Sequence, residues 1–98
     1  MACPCGSAYR IVTAADSPGA SIHVVEIHAD ARAHYHLGRT DYYVVIEGEG
    51  AVELDGKREP VAPGTVVMIP PGVRHRALGP LKIVNVVVPA FDPDDEHF

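Results

Sequence analysis

The chain has 98 residues, 47% hydrophobic and 21% charged, with nine glycines and nine prolines. That length holds one core, so a single domain over 1–98 is expected, burying about 65% of the surface its unfolded form exposes. Thirteen acids against eight scattered bases give a formal charge of −5, which excludes the clustered basic face that nucleic acid requires.

No apolar run approaches the ~20 residues of a membrane-spanning helix. Residues Met1–Gly6 lack the basic and apolar regions of a signal peptide, so neither a membrane partner nor export is expected. The only cysteines, Cys3 and Cys5, are separated by one proline. A bridge between them would be strained, and their number excludes a disulfide framework, which points to a reducing cytoplasm.

Glycine or proline interrupts the chain every few residues, and no helical period survives between them. Residues 1–8 read as a flexible terminus, followed by a short β-branched strand at Tyr9–Thr13 and a loop over Ala14–Ala20. Ser21–Ile27 is rich in Ile and Val and reads as a strand. Tyr42–Glu47 has the composition of a buried strand, and Ala51–Leu54 resumes after a Gly48-Glu49-Gly50 turn. Asp55-Gly56 is a strong hairpin signal, so Lys57–Val61 should pair back on Ala51–Leu54. Thr65–Ile69 ends at Pro70-Pro71-Gly72, Val73–Leu78 follows, and Leu81–Val88 is the most β-rich segment, stopped by Pro89. The acids at 92–98 (Asp92, Asp94, Asp95, Glu96) read as a solvated tail. Seven to nine short strands with regular turns imply an all-β antiparallel sandwich or barrel.

Six histidines in so short a chain point to metal chemistry. His34 and His36 are two residues apart, so on an extended segment both imidazoles project to one side. Gly38 lets the chain bend, and Asp41 could return a carboxylate to the same ion. His75 could add a third imidazole from a neighbouring strand. Three nitrogens and one oxygen suit Zn, Fe(II), Ni, Mn, Co or Cu. Tyr43 should share the face of Asp41, either as a hydrogen-bonding group over the metal or as packing. Asn85 is the one amide on an apolar strand and contacts substrate if it faces inward. His23 and His28 read as core-satisfied or exposed histidines rather than ligands, His97 as exposed, and Arg74 and Arg76 as surface residues facing away from His75.

These residues resemble the cupins, small jelly-roll β-barrels. His34-Tyr35-His36, four residues, Asp41, six residues and Gly48 match the family's first motif, with Asp41 where the family has glutamate. Gly64, five residues, Pro70-Pro71-Gly72, two residues and His75 match the second, with Gly79 where it has asparagine; His28 stands where the first motif opens on glycine. The aspartate is one methylene shorter, which leaves open whether it coordinates or stands behind the histidines. The resemblance implies a jelly-roll barrel and a homodimer, with the N-terminal or the final strand extending the partner's sheet. It implies a divalent metal held by His34, His36 and His75, with Gly48 and Gly64 in turns and Pro71-Gly72 aiming His75 inward. Two functions follow. One is a metal-dependent enzyme of the dioxygenase or isomerase/epimerase kind, with Tyr43 or Asp41 as acid or base. The other is a non-catalytic module that binds a small molecule.

Overall fold

The computed structural model describes residues 2–3, 6–12, 19–28, 32–90 and 92–98, with side chains from residue 19 onward. The strands are β1 (Ala2–Cys3), β2 (Gly6–Val12), β3 (Ser21–Ile27), β4 (Thr40–Gly48), β5 (Gly50–Leu54), β6 (Lys57–Val61), β7 (Val66–Ile69), β8 (His75–Leu78) and β9 (Leu81–Val88). All pairings are antiparallel, and among the described residues there is no helix. A larger sheet runs β1-β2-β3-β9-β4-β7 and a smaller one β6-β5-β8, the two layers of a jelly roll.

Local chemistry explains the turns. Leu54 pairs with Lys57, leaving Asp55-Gly56 as a two-residue loop with φ of 48° and 84°. Two positive φ angles match the twist of the flanking strands, which is why Asp-Gly is favoured there. At Pro70–Val73 the Val73 amide donates to the Pro70 carbonyl at 3.3 Å, and Gly72 has φ 81°. Proline before a positive-φ glycine is the type II arrangement, and it delivers the chain directly into His75.

Strand alternation divides the larger sheet into two faces. Val25, Ile27, Val45, Leu81 and Ile83 point inward and meet Val52, Val61 and Ala77 of the smaller sheet to form the apolar core. The same inward parity continues into a polar half. Ser21, Val87, Asp41 and Ile69 form one row across β3, β9, β4 and β7; His23, Asn85, Tyr43 and Val67 form the next. The barrel interior is therefore apolar at one end and carries the buried polar side chains at the other.

Several sequence expectations change here. The final strand β9 lies between β3 and β4 with both edges paired, so it cannot extend a partner's sheet. Of the terminus expected to be flexible, residues 2–3 and 6–8 are paired as strand. Thr13 of the expected strand, residues 14–18 of the expected loop and Cys5 lie outside the described residues. In the acidic tail, Asp92, Asp94 and Glu96 are exposed as expected, but Asp95 is half-buried and bonded to the chain around His36.

Candidate metal centre

His34 and His36 lie on the segment between β3 and β4, which forms no ladder. It is held extended by single bridges instead. The His34 amide donates to the His75 carbonyl at 2.9 Å, and the His75 amide returns to the His34 carbonyl at 2.7 Å. Tyr35 pairs likewise with His97, and the Gly72 amide donates to the His36 carbonyl at 2.6 Å. An extended chain alternates its side chains. His34 and His36 accordingly turn inward with ring centroids 5.0 Å apart, while Tyr35 turns outward and stacks on His97. The bridge to His75 places its ring 4.3 Å from His34 and 5.3 Å from His36. One nitrogen from each of the three lies within 4.8 Å of the others.

Each imidazole is oriented by a backbone carbonyl. His34 Nδ1 donates to Arg32 O at 3.2 Å, His36 Nδ1 to Asp95 O at 2.5 Å, and His75 Nδ1 to Val73 O at 2.9 Å. A proton fixed on Nδ1 leaves the Nε2 lone pair as the one available for coordination, the usual arrangement behind metal-binding histidines. His75 Nε2 is buried and makes no hydrogen bond among the described residues. A buried lone pair left unmet is what a metal ion would satisfy. Burial pushes His36 down to about 4 and His75 down to about 3, with neighbouring charge adding to the effect, so both rings are neutral, as a ligand must be. The donor set fits a borderline divalent ion.

Asp41 is 1% exposed, yet it stands beside the cluster rather than within it. Its Oδ2 is 3.6 Å from His36 Nε2 and 3.8 Å from His75 Nε2. Its Oδ1 meets Arg39 Nε at 3.0 Å. Burial pushes its carboxyl up, and the Arg39 guanidinium opposes that shift. Arg39 is the residue that sequence reading missed. It counted among the scattered bases, yet it is 7% exposed and places NH2 2.8 Å from His36 Nε2. Its position between a histidine three residues before and an aspartate two residues after was the available signal.

Tyr43 faces the site, its ring edge-on to His75 at 6.0 Å, and Asn85 shares the inward face opposite it. The Asn85 Oδ1 is buried with no hydrogen bond among the described residues. His23 is buried against Ser21 Oγ at 2.9 Å, a core-satisfied histidine as expected, though it stands in the polar row directly opposite Asn85. His28 is exposed. Arg76 faces away from His75 and pairs with Glu53. His97, expected to be solvent-exposed, is partly covered because it pairs with Tyr35 and bonds Asp95.

The model of the Cupin domain family matches residues 21–87, well over half of the chain. The protein is a cupin. A solved protein of Planctomyces limnophilus superposes with a TM-score of 0.95 and 40% identity, covering 100% of this cupin and 87% of that chain. The L-ectoine synthase of Teredinibacter turnerae is 32% identical over 94 residues, 90% of this cupin and 70% of the synthase. An uncharacterised protein of Methanocaldococcus jannaschii is 29% identical over 76 residues, 74% of this cupin, and the match spans 61% of that relative's length. Streptomyces Pac13, solved with uridine, superposes with a TM-score of 0.79 and 25% identity over 84% of this cupin and 70% of that chain. One of these relatives is thus a synthase and another binds uridine, and the buried three-histidine cluster of this cupin could hold a metal ion.

Proposed function

We propose that this cupin is a metal-dependent enzyme acting on a small organic molecule inside the polar half of its barrel. His34, His36 and His75 hold a divalent transition metal (Zn, Fe, Ni, Mn, Co or Cu), and Asp41 stands beside them. The observation that carries the reading is the common orientation of the three imidazoles, each with Nδ1 on a backbone carbonyl, with His75 Nε2 buried and unmet. When bound, a divalent ion would supply Lewis acidity toward a carbonyl or hydroxyl oxygen. The chain's own residues then have separate tasks. Asp41 Oδ2 holds or moves a proton beside the histidines, its basicity set by burial against Arg39. Tyr43 walls the site and Asn85 Oδ1 accepts a hydrogen bond from the bound molecule. An inward Tyr43 and Asn85 favour an enzyme over a sealed binding module.

We also take the protein to be a homodimer. The outer face of the larger sheet presents two apolar rows, Tyr42–Met68–Val86 and Val44–Val66–Val84, with Val66 and Met68 61% and 56% exposed. A second copy would cover them.

The metal reading is tested by titrating chelator-stripped protein with Zn(II), Ni(II) and Co(II). Saturable binding near about one ion per chain is expected. His75→Ala should weaken it by more than the about 10- to 100-fold that outer partners are worth. No saturable binding, or unchanged affinity in that variant, would overturn the assignment.

A further inference from the structure

Arg39 faces Asp41 at 3.0 Å with both side chains buried, so the pair offsets its own charge, and imidazoles that hold an ion do so as neutral ligands. A divalent ion would raise this buried charge to plus two. Asp41 is the only carboxylate among the described residues with an oxygen within 4.0 Å of His36 or His75. The Asp95 carboxylate is committed elsewhere: Oδ1 accepts from the Leu37 amide at 2.9 Å and Oδ2 from the Gly38 amide at 2.8 Å. Uncompensated buried charge is costly, so a bound molecule that brings negative charge is favoured over a neutral one.

Arg39 also occupies the lone pair that a metal needs. Its NH2 lies 2.8 Å from His36 Nε2, and the other nitrogen of that ring is committed to Asp95 O. An ion and a guanidinium cannot both use Nε2. With an ion on Nε2 the guanidinium would give up His36 and keep its contact with Asp41. A planar guanidinium beside a dication matches the two oxygens of a carboxylate.

We propose that Arg39 is the anion-binding residue of the lumen, and that the molecule bound beside the metal is a small carboxylate. The proposal rests on the metal-binding reading above and gives its substrate class. Arg39 is more than the counter-ion of Asp41, since it is the residue that meets the ligand.

Cobalt(II)-loaded protein provides the test, read by its visible absorption. It is titrated with glycolate, and with ethylene glycol as the uncharged counterpart. Glycolate should shift the spectrum saturably and ethylene glycol should not. Arg39→Met should weaken glycolate by about 10-fold or more, the worth of a hydrogen bond to a charged group. The same variant should bind cobalt at least as tightly as the parent, because His36 Nε2 is released and a neighbouring cation is gone. Arg39→Lys should restore part of the glycolate affinity. Arg39→Met with Asp41→Asn removes the pair together, so a folding defect of the single variant does not decide the result, and it should show the same loss. If cobalt binds and glycolate is indifferent to both methionine variants, or ethylene glycol binds equally well, the inference is overturned alone. If cobalt does not bind the parent protein, the metal reading falls and the inference with it.

Discussion

Lowering the pH from 7.5 to 5 should destabilise the metal-free protein by several kcal/mol, and two histidines set the size of the effect. His36 is held down at about 4 and His75 at about 3, both chiefly by burial, against 6.5 for a free imidazole. The unfolded chain takes up protons below about 6.5 and the folded chain does not. Their contribution is therefore complete above about pH 6.5 and is lost as pH falls toward 4 and 3. At pH 5 each group favours the unfolded chain by about 2 kcal/mol, so about 4 kcal/mol together, a large part of a typical 5–15 kcal/mol stability. Asp41 works in the opposite sense, because a carboxyl pushed up by burial is relieved as it protonates. Asp41→Asn removes that opposition and should steepen the loss. Asp95 and Glu53, both held low by hydrogen bonds, lose their contributions only in more acid solution, below about pH 4.5. Urea unfolding of chelator-treated protein at pH 7.5, 6 and 5 measures the slope. A change below about 1 kcal/mol across that range in the Asp41→Asn background would refute the claim that these imidazoles are buried neutral.

Three further outcomes are expected. Asp95→Ala removes the carboxylate that clamps the Leu37 and Gly38 amides but keeps the carbonyl that holds His36, so it should cost about 1–3 kcal/mol in urea unfolding and weaken metal affinity by about 10-fold; unchanged metal affinity would mean that the clamp does not orient His36. Gly72→Ala forces a side chain to φ 81° in the turn before His75, and calorimetry should show a loss of about 1–2 kcal/mol, whereas an unchanged melting point would show that the turn relaxes freely. Met68→Glu places a charge in the apolar rows of the outer face, and light scattering should report a dimer for the parent and a monomer for the variant at the same concentration; a parent monomer, or a variant dimer of unchanged stability, would overturn the proposed interface.

The sequence by itself determined the strands from Ser21 onward, because glycine, proline and alternation are local signals, but not the pairing of residues 2–3 and 6–8. Ser21–Ile27, Lys57–Val61 and Leu81–Val88 were legible to the residue, and the Asp55-Gly56 hairpin followed from two positive φ angles. The inward turn of His34 and His36 was legible too, since spacing two needs only an extended chain. Tertiary structure decided what meets across the barrel. It put His75 on His34 through a bridge from β8 to the segment between β3 and β4, and it made β9 central rather than an edge. It also drew Asp95 out of the acidic tail, and it buried Arg39 between His36 and Asp41. These are long-range or context-dependent placements. A charge read from sequence is assigned to solvent by default, and only the folded surroundings show that burying it beside a carboxylate and a lone pair costs less than leaving those groups unmet.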